Sequence, residues 1–405
     1  MTRRALIATL PPLDGGVRAM LDVSLRLLHE IDVDPVVAWY EPYSLSPALS
    51  VPAHRLGSRR PAREARRVEG AAAAYAIGSW LPELEFPHNW PTRLWRDLIA
   101  QSEIHLVVSG SCLPGLAFAR TRTPFLGWIA SDWHGDRRDR IRSFPWHRRL
   151  VDRLLIRPVT RRLERRILGG GRIVALSQAT ARELDRVAGG RTVRAVLPQP
   201  IDTDRFSPDA DAVVPARIGF VGRFDDPRKN LPLFLQALAT ARASGANLVA
   251  EVVGATPASG HLEAVDRLGL GDAVVFSGRL EPDEYVLRLR SFDVLALTSH
   301  QEGLGIAALE AMASGCPLVA TRCGGPEELV VEGVSGFLAG FSAEELARRL
   351  GEIVADRALR ARLAAGARQI VVDRYTWESV REIFRRELGL HEAERGRGHG
   401  RQIHG

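Results

Sequence analysis

The chain has 405 residues, of which 45% are apolar and 25% charged, and its formal net charge is +7. This length exceeds one ordinary hydrophobic core, so two domains of roughly 200 residues each are expected. An Arg, Asp or Pro interrupts every apolar run before it reaches the roughly 20 residues of a membrane span, so no transmembrane helix is predicted.

The N-terminus is predicted to be a first strand and its turn. A short apolar run ends in Pro-Pro-Leu-Asp-Gly-Gly at residues 11–16, which differs from the apolar core and cleavage site of a signal peptide. The three cysteines are an odd set without CxxC spacing, so neither a disulfide framework nor a zinc site is indicated. A reducing, cytoplasmic location is therefore predicted.

Short Val/Ile/Leu-rich runs alternate with longer helical patterns along the chain, which is typical of buried parallel strands joined by crossover helices. Each half therefore predicts a doubly wound α/β sheet. The strands predicted in the first half are 5–10, 33–39, 104–109, 124–130, 173–176 and 193–197. Those predicted in the second half are 217–221, 248–253, 273–276, 294–297 and 318–320.

Two segments lack the pattern of a packed core. Residues 207–215 are polar and flanked by prolines, which predicts a linker with a domain boundary near residue 210. Residues 391–405 are rich in Gly, Arg and His without an apolar face, so a disordered tail is expected. Two α/β halves that face each other would leave a ligand-binding cleft at the strand ends.

Arginines dominate residues 137–172, and apolar residues recur there at near-helical spacing, interrupted by Pro158. Two interpretations stay open. The segment is a pair of helices with a solvated basic face, or it is attracted to an anionic membrane surface or an acidic acceptor. Nucleic acid is not a predicted partner, because no recognition motif accompanies the charge.

The most informative segment is residues 299–321, Ser-His-Gln-Glu-Gly-Leu-Gly-Ile-Ala-Ala-Leu-Glu-Ala-Met-Ala-Ser-Gly-Cys-Pro-Leu-Val-Ala-Thr. It follows a strand, passes a Gly-rich turn, opens a helix and resumes as a strand after Pro317. The free N–H groups and positive dipole end of such a helix form a natural seat for phosphate. Gly303 and Gly305 would let the backbone approach a ligand closely.

Glu302 precedes that helix, and Glu310 lies about two turns into it. A carboxylate accepts two hydrogen bonds at once, so each glutamate is suited to a pair of vicinal hydroxyls, one on a sugar and the other on a ribose. The alternative is a capping Glu and an exposed helical Glu.

Two cations follow a second predicted strand. Arg223 stands directly after the strand and Lys229 at the entrance to the next helix, so both can converge on one diphosphate. Fixed cations there would stabilise the charge that builds on a departing diphosphate. The alternative is a pair of surface charges in a loop.

These residues carry a resemblance. Val-Gly-Arg at 221–223 and Lys-Asn at 229–230, followed by Glu302 and the segment 310–317, resemble retaining GT-B glycosyltransferases of glycosyltransferase family 4, the glycosyl transferases group 1. The resemblance implies two Rossmann-like doubly wound domains facing across a cleft. It implies an acceptor domain over 1–209, a nucleotide-sugar donor domain over 210–374, and a last helix, 375–390, that crosses back to the first domain.

The resemblance also implies roles for single residues. Arg223 and Lys229 would bind the donor diphosphate, and Glu310 its ribose. Glu302, with the neighbouring backbone, would hold the donor sugar, and at Gly16 the first domain would close on the phosphates. The whole donor-binding set implied in this way is Gly15, Gly16, Arg223, Lys229, Glu302, Gly303, Leu304 and Glu310.

The sequence departs from the family pattern at two places. Residues 198–202 read Pro-Gln-Pro-Ile-Asp where the family often has Pro-Asn-Gly-Val-Asp, so the turn must differ. The family also commonly places a His after the strand that matches 124–130. Here His134 has shifted into that catalytic role, or Asp132 replaces it, as register favours, or neither does and they are a capping Asp and a surface His.

No separate nucleophile is apparent. For retention, the resemblance implies a front-side displacement in which the departing phosphate takes the acceptor's proton, so positioning and phosphate electrostatics matter most. The two cations Arg223 and Lys229 can do the work that a metal does elsewhere, so no metal and no cofactor is expected beside the nucleotide-sugar co-substrate and a saccharide, lipid-linked or small-molecule acceptor. The alternative functions are a nucleotide-sugar epimerase of the same fold and a non-catalytic nucleotide-sugar-binding protein.

Overall fold

The computed structural model describes residues 3–11, 15–84, 86–142, 144–209 and 217–389. These residues divide into two compact units. The first comprises the described residues up to Gln199 and those from Val380 onward, and the second runs from Pro200 to Ser379. The division at Gln199 comes before the boundary predicted at residue 209. Part of the predicted linker, residues 210–215, and the tail 391–405 lie outside the described residues.

The first unit is an α/β domain built on one eight-stranded sheet. Its strands are β1 (Arg3–Thr9), β2 (Val33–Tyr40), β3 (Arg63–Arg66), β4 (Ala73–Ile77), β5 (Ile104–Ser109), β6 (Leu126–Ile129), β7 (Arg172–Ala175) and β8 (Val193–Val196). The spatial order is β3-β4-β2-β1-β5-β6-β7-β8. Neighbours are parallel except for β3, which pairs antiparallel with β4. The helices are α1 (Gly15–His29), α2 (Arg93–Ala100), α3 (Leu116–Thr121), α4 (Trp133–Arg142), α5 (Trp146–Val151), α6 (Arg157–Gly170) and α7 (Gln178–Ala188).

The second unit repeats this architecture with six parallel strands. They are β9 (Arg217–Gly222), β10 (Val249–Gly254), β11 (Val274–Gly278), β12 (Val294–Leu297), β13 (Leu318–Thr321) and β14 (Gly336–Ala339), in the order β11-β10-β9-β12-β13-β14. The helices are α8 (Leu231–Ala243), α9 (Ser259–Arg267), α10 (Pro282–Ser291), α11 (Ile306–Ala313), α12 (Pro326–Leu329), α13 (Ala343–Ala355) and α14 (Arg357–Arg374).

Every strand predicted from the sequence is present, so the prediction of two doubly wound parallel sheets is confirmed. The central strands are continuous apolar runs because helices cover both faces, and Ala5 to Ala8 of β1 are fully buried. Three strands were not predicted. Strand β3 is exposed along its whole length, β4 is rich in alanine, a weak strand former, and β14 is a four-residue strand that opens with glycine.

The last helix, α15 (Trp377–Glu387), enters the first unit at Val380. Val380 and Phe384 are buried, and the Arg381 guanidinium lies 2.6 Å from the carboxylate of Glu30, the residue directly after α1. The chain therefore returns to its first unit over the segment for which the resemblance implied a crossing helix.

The basic segment between 146 and 170 is helical throughout, since α5 continues through a π-helical turn, Asp152–Ile156, into α6. The spacing interrupted at Pro158 suggested two separate helices. In the structure, Pro158 lies in the first turn of α6 and the helical path is continuous there. Among the described residues, no helix is both long and apolar enough to cross a membrane.

Candidate active site

The two loops that carry the predicted cations and glutamates meet at the centre of the second sheet. Strands β9 and β12 are parallel neighbours, and the strand order reverses between them. Such a switch point opens a crevice at the carboxyl ends of the strands. Loop 223–230 follows β9, and loop 298–305 follows β12. The fold therefore brings the two sequence motifs to one place.

A direct ion pair joins these loops. Lys229 Nζ lies 2.5 Å from Glu302 Oε1, and Ser299 Oγ donates a hydrogen bond to the same oxygen at 2.6 Å. Burial raises the pKa of Glu302, but Lys229, Ser299 and the nearby Arg228 together outweigh it and leave the pKa below its ordinary value. Glu302 is therefore an ionised hydrogen-bond acceptor at neutral pH.

The position of Lys229 depends on the glycine that ends β9. A side chain added to Gly222 would place its Cβ 3.3 Å from Lys229 Cε, and Gly222 has a φ of 143°. The lysine stem thus lies against the strand end, immediately beside the exposed Arg223. Lys229 is also the only lysine among the 55 Lys and Arg residues of the chain. The motif alone predicted a role for Lys229, and the absence of any other lysine is a second sequence signal for the same residue.

The backbone around Gly303 and Leu304 is supported from behind by the loop that follows β13. Glu302 N–H donates to the Cys323 carbonyl at 3.0 Å, and Gly325 N–H donates to the Glu302 carbonyl at 3.0 Å. A Cβ on Gly325 would lie 2.3 Å from Leu304 Cα, so only glycine fits there. The supporting role of Gly325 was not predicted, because it depends on contact between distant loops.

Gly305, with a φ of 91°, precedes the first residue of α11 and turns the chain into the helix. The N–H groups of the first turn of α11 have no partner within the helix, so this end favours negative charge. The expected geometry of a phosphate seat at a helix N-terminus is present here, next to Glu302.

Glu310 lies in the second turn of α11. Tyr285, on α10, donates its hydroxyl hydrogen to Glu310 Oε2 at 2.7 Å. Burial raises the pKa of Glu310 to about 7, although the hydrogen bond from Tyr285 opposes the rise. The carboxyl group thus changes between ionised and neutral forms near neutral pH. Tyr285 was missed by the sequence analysis, since it belongs to no motif.

Asp132 and His134 lie in the first unit, at the start of α4. Asp132 is buried, and its Oδ2 accepts a hydrogen bond from Gly135 N–H at 2.9 Å, which is the geometry of a helix cap. His134 is half-buried in the first turn. Asp132 therefore makes the contact of a helix-capping residue, which was one of the alternatives from the sequence. A catalytic role for Asp132 or His134 remains a prediction.

A second carboxyl group, that of Glu164, also accepts a hydrogen bond from the first turn of α4. Its Oε1 accepts a hydrogen bond from Trp133 N–H at 3.0 Å. Burial raises the pKa of Glu164 to about 7, the bond from Trp133 opposes this, and the charge of Asp132 adds to the rise. Glu164 was not singled out from the sequence, where it is one acid within an arginine-rich helix.

The glycines predicted to lie near the donor phosphates begin helix α1. Gly15 is the first residue of α1 and has a φ of 52°, and Gly16 follows it. They belong to the first unit together with Asp132 and His134, whereas the other predicted site residues belong to the second. Within the described part of the chain, no group of three or more His, Cys, Asp or Glu side chains is arranged to hold a metal ion.

Known proteins resemble this chain most clearly over its second unit. Residues 208–370 match the family described as glycosyl transferases group 1. A GDP-mannose-dependent alpha-(1-6)-phosphatidylinositol monomannoside mannosyltransferase of Mycolicibacterium smegmatis is 30% identical over 245 residues, 55% of this chain and 63% of that protein. A D-inositol 3-phosphate glycosyltransferase of Xylanimonas cellulosilytica is 32% identical over 241 residues, 53% of this chain and 57% of that protein. The chain thus spans less than two thirds of either relative's length.

The fold has solved counterparts. The crystal structure of Anabaena HepE in complex with UDP superposes with a TM-score of 0.70 and 17% identity, covering 95% of this chain and 99% of that one. The GT-B fold predicted from the sequence is confirmed. The similarity to glycosyl transferases group 1 is carried by residues 208–370, which lie mostly within the second unit, and the likeness of the whole chain to solved structures shows the fold.

Proposed function

We propose that the chain is a retaining hexosyltransferase that moves a sugar from a nucleotide-diphosphate sugar to a saccharide, lipid-linked or small-molecule acceptor. The observation that carries the proposal is the Lys229–Glu302 pair, 2.5 Å apart at the switch point and beside the N-terminus of α11. It combines a cation for a diphosphate with an ionised acceptor for sugar hydroxyls.

The chemistry follows from where charge develops. As the bond between the sugar and the diphosphate breaks, negative charge builds on the leaving oxygen, and Lys229, Arg223 and the N-terminus of α11 stabilise it. The departing phosphate takes the proton of the acceptor hydroxyl while that hydroxyl attacks from the same face, so the configuration is retained. Two fixed cations supply the stabilisation that a metal ion gives elsewhere, so the reaction needs no metal.

Glu310 is proposed to bind the ribose hydroxyls of the donor. Tyr285 holds the carboxyl group in place through its 2.7 Å hydrogen bond and leaves the other oxygen for the ligand. Ribose is common to all nucleotide sugars, so Glu310 does not select the base. The name of the mycobacterial relative makes GDP-mannose the first donor to test.

The experiment is a donor screen with the purified full chain. UDP-, GDP- and ADP-sugars are compared by thermal shift, since a ligand that binds only the folded state raises its stability. The donor that binds is then followed by proton NMR, which identifies the anomer released or transferred first. Absence of stabilisation by every nucleotide sugar would contradict donor binding, and a first product of inverted configuration would contradict retention alone.

A further inference from the structure

The first unit exposes a cluster of large apolar side chains on the helical segment 146–170. The exposed fractions are 72% for Trp146, 47% for Leu150, 49% for Val151, 68% for Leu154 and 45% for Leu155. We call these five residues the apolar surface. They lie within ten consecutive positions, whereas single exposed apolar residues elsewhere on a protein need no explanation.

The outward side of the same segment differs from that of an ordinary amphipathic helix of a water-soluble domain. Its inward stripe contains the buried polar residues Asp152, Thr160 and Glu164 together with the buried apolar residues Ile156, Ile167 and Leu168. Its outward side carries the apolar surface. A helix that faces only water normally does the opposite, so packing within the first unit does not account for these apolar residues.

The charged residues of the segment also differ in burial according to their sign. Its two acidic residues, Asp152 and Glu164, are buried, and Asp152 pairs with Arg137 at 3.0 Å. Its arginines are all exposed, namely Arg148, Arg149, Arg153, Arg157, Arg161, Arg162, Arg165 and Arg166. The outward face of the segment therefore combines positive charge with tryptophan and leucine.

We propose that this face docks the protein on the surface of an anionic lipid bilayer. Trp146 and the leucines would enter the boundary between headgroups and acyl chains, while the arginines meet lipid phosphates. A second copy of the chain would bring the same positive charge to the contact. A nucleic acid would offer phosphates but no apolar phase for five apolar side chains. The bilayer matches both properties, and the proposal does not depend on the proposed transfer reaction.

The test is co-sedimentation of the full chain with vesicles of phosphatidylcholine alone or mixed with phosphatidylglycerol. The wild type is expected to bind the anionic vesicles, bind neutral ones at least tenfold more weakly, and lose affinity as salt rises, because exposed charges are screened. A variant that combines Trp146→Ala, Leu150→Ser and Leu154→Ser should lose at least tenfold in affinity. A variant with Arg149→Gln, Arg153→Gln and Arg157→Gln should lose the salt dependence as well.

Matched controls carry equal changes elsewhere on the surface. Leu45, Leu262 and Leu287 are exposed by 68%, 46% and 57%, and their joint replacement by serine should leave vesicle binding unchanged. Unchanged thermal melting of every variant excludes unfolding as a cause. Equal binding of wild type and apolar variant, or equal binding to neutral and anionic vesicles, would overturn the proposal. So would self-association of the wild type that the apolar variant loses while no vesicle binding is seen, because the face would then be a protein interface.

Discussion

Replacing Lys229 with alanine should lower kcat by at least about a hundredfold and change donor affinity less. The ammonium is held 2.5 Å from Glu302 and packed along Gly222, so it is ordered before the donor arrives. A preorganised group of this kind stabilises charge that appears only in the transition state, and losing one principal donor typically costs about 2.7 to 4 kcal/mol. That range corresponds to about a hundredfold to a thousandfold in rate.

The same change should alter the pH dependence of the residual activity. In the wild type, the pKa of Glu302 is below its ordinary value because Lys229 and its other partners outweigh burial. Without the ammonium, burial is opposed by less positive charge, so the pKa of Glu302 rises. The carboxylate is the form that accepts hydrogen bonds, so activity of the variant should fall as pH is lowered through a range where the wild type still turns over.

The assay is the initial rate of donor consumption at saturating donor, from about pH 5 to about pH 8, a range that covers ordinary glutamate and histidine pKa values. Arg348→Ala is a matched control, since it removes a cation that pairs with Glu352 on an exposed helix face. Lys229→Arg should not restore the rate, because the planar guanidinium differs in shape from the ammonium. A Lys229→Ala enzyme with kcat within a few fold of the wild type would refute the reasoning.

Other predictions concern the remaining site residues and the metal. Glu310→Gln should weaken donor binding roughly tenfold or more in titration calorimetry, because a charge-assisted hydrogen bond is lost; unchanged affinity would contradict the ribose assignment. Wild-type donor affinity should fall as pH drops through about 7, where Glu310 becomes neutral, and the Gln variant should show a flatter profile. Asp132→Asn keeps a capping side chain, so thermal stability should be retained while turnover falls if the charge is catalytic; full activity would leave Asp132 as a cap. Excess EDTA should leave turnover intact, and loss of activity that Mn²⁺ or Mg²⁺ restores would disprove metal independence.

The sequence predicted much of this molecule because its elements follow strong local patterns. The buried parallel strands are continuous apolar runs, and the Gly-rich turns lie at strand ends. The places of Glu302, Glu310 and Lys229 could be predicted because each has a fixed position relative to a strand end or helix start, while their roles stay predictions. The meeting of Lys229 and Glu302 at the switch point follows from the topology of a doubly wound sheet.

The missed residues act through contacts that no local pattern encodes. Tyr285 comes from a different helix to bind Glu310, and Gly325 supports Leu304 from a loop that follows another strand. Glu164 lies among arginines, and only the fold shows that its carboxyl group is buried beneath α4. The spacing of the apolar residues between 146 and 155 predicts a helix, but spacing alone does not show that these side chains are exposed.

The choice of lysine at position 229 follows from the shape of the site. Every other basic Lys or Arg position in the chain is arginine, so the general preference of this sequence is for guanidinium. At 229, the stem must pass along Gly222 and deliver a compact charge to one oxygen of Glu302 while Ser299 donates to the same oxygen. An ammonium can donate to Glu302 and turn a further hydrogen toward a phosphate, whereas a guanidinium presents its donors in a fixed plane. We therefore infer that the shape of the site around Glu302 and Gly222, and not the need for positive charge alone, favours lysine over arginine at position 229.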